Sequence, residues 1–454
     1  MHTSCTGISY RRFIVSGFFV LTLATLFFML VGQAVSVRAA PENFGDGTSR
    51  VPGQYIVVFK DSVTNIDVVE RELIERTRAE RLDTYRYALR GFSAQLSPEA
   101  AERLMLDPRV EFVSEDRVVS IDFDRSYDES RTESRVESRR VNSLATPTSP
   151  NQTVPTGIRR IGAMGLLNMG SGVEIAVIDT GIQTNHPDLA QNIAGGKNCL
   201  RSGNYQDQNG HGTHVAGTIA GIHNTQGVVG VASGAKLWAV RVLDRKGSGT
   251  WSQVICGLDF VTSKAPANGG AIAVANLSLG GSGTSDNNCG LENNDALHRA
   301  ICRARDAGVT VVVAAGNSGV NANTSVPAAY NDAVITVSAL ADSNGTSGGG
   351  GPATSYGADD TFASFSNYGM VVDVAAPGVN IYSTWIGGSY KTISGTSMAS
   401  PHVAGAAALY LASHPGALWS SVRDALVAIG EPIGSGHTDP SGKHPEPILQ
   451  VAVL

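Results

Sequence analysis

Two hydrophobic textures follow one another along the chain, with a stretch between them that has neither. Residues 51–60 form an apolar run behind Pro52-Gly53 and read as a strand. A charged, helix-patterned stretch follows from about Val68 to Tyr87. Then come a strand over Gly91–Leu96, a helix over Pro98–Leu106 opened by Ser97-Pro98-Glu99, and a strand over Val110–Ser114. This β-α-β-α-β order predicts a small α+β domain. Residues 122–140 interleave six carboxylates with five arginines, and Thr146–Pro150 adds Pro, Ser and Thr, so 122–150 reads as an exposed linker. From Val173 the texture changes to short, almost wholly apolar runs: Val173–Ile178, Leu237–Val242, Ile272–Leu279, Val309–Ala314, Val334–Val337 and Val371–Val374. Small-residue helical stretches separate them. Continuous Val/Ile/Ala strands alternating with helices predict an α/β unit whose parallel sheet is buried on both faces.

The first 40 residues stand apart from both textures. Arg11-Arg12 precede an uncharged run of 19 residues, Phe13–Val31, and small residues follow to Ala40. That order predicts a secretory signal peptide and a secreted product, extracellular or periplasmic. The run is also long enough to span a bilayer, so a retained anchor is the alternative.

Composition narrows the choice of function. Glycine supplies 52 of 454 residues, about 11%, where ~7% is usual, while only 16% are charged. Disordered and coiled-coil chains do not have that balance. A net charge of −6 without a basic block excludes nucleic acid as a partner. Of five cysteines, Cys5 falls in the leader. Cys199, Cys256, Cys289 and Cys302 remain, an even number in an exported chain, and four cysteines allow three pairings. No C-x₂-C pair supports a zinc site.

Chemistry gathers at the ends of the predicted strands, where parallel sheets place their functional groups. Asp179 ends the strand V-E-I-A-V-I. His211 opens H-G-T-H-V-A-G-T at a helix start. Ser397 opens another helix in G-T-S-M-A-S-P-H-V-A-G, and Asn317 follows a strand in A-A-G-N. Serine, imidazole and carboxylate are the set required for nucleophilic acyl transfer, and a side-chain amide can donate to the oxyanion that develops.

Singly, each of these residues is as well explained by a helix cap or a packed histidine. Together, V-I-D-T-G, H-G-T-H-V-A-G-T, A-A-G-N and G-T-S-M-A-S-P-H-V-A-G resemble the four signature blocks of the subtilisin-like serine proteases, over roughly 151–454. The resemblance implies a seven-stranded parallel sheet flanked by helices and a secreted endopeptidase without a catalytic cofactor. It assigns Asp179 as the orienting carboxylate, His211 as general acid/base, Ser397 as nucleophile and Asn317 as oxyanion donor. It marks Gly247, Ser248 and Gly249, with Ser278, Leu279 and Gly280, as the strands of a substrate groove. Ala314 and Gly316 line its primary pocket, and Trp251 and Leu279 its outer apolar pocket. No charge lies in those segments, so apolar or aromatic side chains before the cut are expected.

The resemblance also implies a structural Ca²⁺ site built from Gln152, Asp188, Ile222, Asn224, Gln226 and Val228, and the pairs Cys199–Cys256 and Cys289–Cys302. Residues 41–121 resemble the family's inhibitory propeptide, which assists folding and then occupies the groove. The implied partners are protein substrates and this propeptide, in a monomer. A cut near 121–123 or later trimming toward residue 151 would release the peptidase domain, 151–454. A serine esterase of the α/β-hydrolase type fails, because it requires G-x-S-x-G and a serine ahead of its acid and histidine.

Overall fold

The structure, a computed structural model, describes residues 49–121 and 152–454; the leader 1–40 and the linker 122–150 lie outside the described residues. The amino-terminal segment contains β1 (Arg50–Phe59), α1 (Ile66–Thr77), β2 (Glu80–Tyr85), β3 (Gly91–Gln95), α2 (Pro98–Met105) and β4 (Val110–Ser120). Asn65 and Ser97 cap the two helices, accepting from the backbone N–H of Val68 and Ala100. The strands form an antiparallel sheet in the order β2-β3-β1-β4.

The helix expected over 68–87 is therefore too long. α1 stops at Arg78, whose φ is +56°, and the following residues form β2. Their charge hides a strand, because β2 lies at the sheet's edge and only Tyr85 is fully buried. The apolar run in β1 reflects burial on both faces. Val57 and Phe59 pack with Leu73, Phe92 and Leu104 beneath the helices. Ile56 and Val58 join Tyr85 and Phe112 in the core of the second segment.

That second segment contains α3 (Thr156–Arg160), β5 (Glu174–Asp179), β6 (Ile193–Asn198), α4 (His211–Ala220), β7 (Lys236–Arg241), β8 (Ser248–Thr250) and α5 (Trp251–Ser263). It continues with β9 (Ile272–Leu277), β10 (Gly281–Ser282), α6 (Ala296–Asp306), β11 (Thr310–Ala314), β12 (Ser325–Val326), β13 (Ile335–Ala341) and β14 (Thr361–Phe362). β15 (Val374–Pro377), β16 (Ile381–Trp385), β17 (Ser389–Ile393), α7 (Thr396–Ser413) and α8 (Trp419–Ile429) complete it. Its main sheet runs β14-β13-β11-β9-β5-β7-β6, with β15 also on β13. Seven of these strands are parallel and the short β14 is antiparallel.

α4 and α7 pack on one face through Val215, Ile219, Val403 and Ala404. α5 and α6 cover the other through Val254, Leu258, Leu297 and Ile301. The strand expected at 371–374 begins three residues later, because the Asp373 carboxylate instead turns to accept from Thr336 N–H. β6 (I-A-G-G-K-N) carries no apolar run, being an edge strand. Among the described residues no helix is long and apolar enough to cross a membrane.

Candidate active site

β5 lies in the interior of the sheet and ends on Asp179, which is fully buried. His211 is the first residue of α4, and its Nδ1 lies 2.9 Å from each Asp179 carboxylate oxygen. Donation from Nδ1 fixes the tautomer and leaves Nε2 as the basic nitrogen. The approach requires glycine at 212, since a Cβ there would sit 2.2 Å from the Gly181 carbonyl oxygen.

Asp207, which the sequence reading missed, anchors the start of α4. It accepts from the backbone of Asn209, Gly210 and Thr213 and from the hydroxyls of Thr180 and Thr213, at 2.6–2.9 Å. These are N–H groups that a helix start leaves unpaired. An aspartate four residues ahead of a helix-opening histidine was the available signal.

Ser397 lies in the first turn of α7, 3% exposed, with its Oγ 3.3 Å from the Ser278 carbonyl oxygen. α7 contains Pro401, which has no N–H to offer the Ser397 carbonyl four residues back. Ser278 Oγ donates to that carbonyl instead, at 2.9 Å. Asn317 Oδ1 accepts from Thr396 N–H at 2.8 Å and from Thr396 Oγ1 at 2.9 Å. With its oxygen held, the amide presents Nδ2 on the side away from Thr396. Thr396 also accepts from Gly316 N–H at 3.1 Å, so one threonine ties the 314–317 strand end to the start of α7.

β8 and the 278–280 segment flank β4. Val118, Val119 and Ser120 pair antiparallel with Thr250, Gly249 and Ser248. Ser120 exchanges hydrogen bonds with Gly280 at 3.0 and 3.1 Å, and Ile121 N–H donates to Gly247 O at 3.0 Å. Val119 is buried in one cluster with Leu243, Trp251 and Leu279. The chain's own strand thus fills a cleft whose two walls offer backbone groups to it, as in strand addition by a peptide. Asp116 accepts from Ser252 N–H and Oγ at the start of α5, and Asp259 accepts from Arg86, Tyr87 and Ala88 N–H.

Comparison with known proteins agrees with this geometry. Residues 170–430 match the Subtilase family, and residues 54–122 match the Peptidase inhibitor I9 family. Subtilisin NAT of Bacillus subtilis subsp. natto is 35% identical over 419 residues, covering 90% of this chain and 92% of that protein. The chain belongs to the subtilase family. An alkaline protease of Shouchella clausii is 40% identical over 335 residues, 73% of this chain and 71% of that one. A cold adapted subtilisin-like serine proteinase of known crystal structure has a TM-score of 0.53 and 35% identity, and the match covers 67% of this chain and 99% of that one. This subtilase is a serine-type endopeptidase with an inhibitor-type domain ahead of it.

Two further histidines of the subtilase lie close to the signature blocks. His214 is fully buried with Nε2 at 3.0 and 3.1 Å from the Ile381 and Lys391 carbonyls, and burial pushes its pKa down to about 3. His402 Nδ1 donates to the Met398 carbonyl, and burial pushes its pKa down to about 4. Both are neutral packing residues, and among the described residues no third ligand joins His211 and His214. Disulfides link Cys199 to Cys256 and Cys289 to Cys302.

The residues expected around calcium are brought together. Gln152 Nε2 is 2.5 Å from the Ile222 carbonyl and 2.9 Å from the Val228 carbonyl, and its Oε1 accepts from Asn224 N–H. Asp188 Oδ2 accepts from Val228 N–H and Tyr390 Oη, while its Oδ1 is buried without a partner. Asn224 Oδ1 and Gln226 meet through Gln226 N–H, with the Gln226 side chain in solvent.

Proposed function

We propose that the chain is an exported zymogen that cuts itself and then hydrolyses proteins with broad, apolar-leaning specificity. Asp179, His211 and Ser397 act as its triad. His211 Nε2 takes the Ser397 proton as Oγ attacks the scissile carbonyl. Asp179 holds the ring and stabilises the imidazolium. The oxyanion accepts from Asn317 Nδ2 and from the Ser397 N–H, which the first turn of a helix leaves unpaired. The imidazolium returns the proton to the leaving amine, giving an acyl-serine, and water activated by His211 releases it.

The observation that carries this reading is β4 lying between β8 and Gly280. Its Ser120 bridges antiparallel to Gly280, two residues from Ser278, whose carbonyl adjoins Ser397 Oγ. This supports a first cut within two residues of Ile121, a propeptide of 41–121 and later loss of 122–150. Burial of Val119 with Leu243, Trp251 and Leu279 supports an apolar preference. Export rests on Arg11-Arg12 and Phe13–Val31. The full chain and its Ser397→Ala variant, assayed on casein with amino-terminal sequencing, test the proposal. Casein hydrolysis and processing should both be lost in the variant; a variant still cut at 121–123 would show that another protease makes that cut.

The Gln152–Asp188 cluster fits a structural Ca²⁺. One buried Asp188 oxygen lacks a donor, and the Ile222 and Val228 carbonyls, which now accept from Gln152 Nε2, would join it with Gln152 Oε1 in an oxygen set that calcium selects once the Gln152 amide turns over. Gln152, Asp188, Asn224 and the carbonyls of Ile222, Gln226 and Val228 would hold it, and the ion would stiffen the loop without entering the reaction. EDTA should therefore shorten the half-life at high temperature, an effect that added calcium reverses. An unchanged half-life would remove this site.

A further inference from the structure

A second group of oxygens, at the far end of β13, has no role in the groove or in the site just described. One carboxylate oxygen from each of Asp342, Asp359 and Asp360 lies within 4.8 Å of the others. All three residues are buried, at 1, 5 and 1% exposure.

Their hydrogen bonds are unequal. Asp359 accepts four times, from Ser343 N–H and Oγ, Asn344 Nδ2 and Gly351 N–H. Asp360 accepts from Arg160 Nε at 2.6 Å and from Gly349 N–H at 2.9 Å. Asp342 Oδ1 accepts from Gly345 N–H at 2.9 Å, but its Oδ2 is buried with no partner.

The charges do not balance. Arg160 is shared between Asp360 and Glu431. An unshielded anionic oxygen beside two other buried carboxylates is strongly unfavourable. A divalent cation would satisfy all three oxygens at once. Oxygens on one calcium ion at 2.3–2.6 Å lie at most roughly 5 Å apart, so three oxygens within 4.8 Å of one another are close enough to share one.

We propose that Asp342, Asp359 and Asp360 bind a calcium ion, separate from the Gln152–Asp188 cluster and independent of it. The ion sits between β13 and β14, next to the Arg160–Glu431 pair that links α3 to the segment after α8. It neutralises the loop 342–360, which holds four consecutive glycines, Gly348–Gly351, and no helix or strand. Its role is to fix that loop to both ends of the peptidase segment.

Calcium content measured on the full chain tests this, with Ser397→Ala as background to prevent self-digestion. After dialysis at micromolar free calcium, Asp342→Asn should hold one equivalent less than the parent, with the Asp188→Asn loss additive to it. Asparagine keeps the Gly345 contact while removing the charge. An unchanged calcium content in folded Asp342→Asn would overturn the proposal, whatever Asp188→Asn does. Should that variant not fold, a manganese-soaked crystal of the Ser397→Ala chain decides. An anomalous peak beside Asp342 Oδ2 supports the site, and its absence overturns it.

Discussion

At the scale of single residues, Asn317 offers the sharpest test of the proposed oxyanion site. Thr396 holds its amide oxygen twice, and on the proposed mechanism this leaves Nδ2 for the oxyanion. Asn317→Ala should lower kcat by about 100- to 1,000-fold with KM nearly unchanged, because the donor acts on the transition state alone. Peptide kinetics with both proteins checks this; a loss carried mainly by KM would mean that Asn317 binds the ground state. Asp179, His211, Asn317 and Ser397 stood out as candidates in the sequence because each sits in a distinctive local string. Asp207 and Thr396 were not singled out, because their importance lies in contacts to Thr180 and Thr213 or to Gly316 and Asn317. A string of letters shows a cap or a threonine there, and only the folded chain shows what it holds.

Among elements, the parallel sheet was the most legible, since strands buried on both faces read as unbroken apolar runs. Edge strands escaped, β2 beneath its charge and β6 beneath its glycines, because one side of each is open to water. The register of β4 against β8 is the element-level feature with the sharpest consequence. Val119 fills an apolar site while the backbone on both sides of it is paired. Val119→Asp places a carboxylate in that site, which costs several kcal/mol unless the strand withdraws. The cut propeptide should then leave sooner. In the processed full chain, the lag before casein hydrolysis should shorten several-fold. A lag equal to that of the parent would mean that Asp116, Asp259 and Ile56–Val58 hold the segment without help from the groove.

Stability against pH belongs to the whole molecule, since buried groups in separate elements pull it in opposite directions. His214 and His402 have folded pKa values pushed down by burial to about 3 and about 4, against about 6.5 when unfolded. Their contribution is intact above pH 6.5 and is lost as pH falls, at about 1 kcal/mol per pH unit for each. Asp373 opposes them. Burial pushes its carboxyl up to about 7, so its contribution is intact below pH 4 and is lost as pH rises through 7. Between pH 7 and 5 the aspartate offsets part of what the histidines remove. Asp373→Asn, which can still accept from Thr336 N–H, deletes the offset. In the Ser397→Ala background it should raise the unfolding midpoint at pH 8 and steepen the loss on acidification. Thermal melts of both chains at pH 8, 6.5 and 5 measure the two effects together. Parallel curves would mean that Asp373 keeps the same charge folded and unfolded, and that the acid side of the profile is set by the histidines alone.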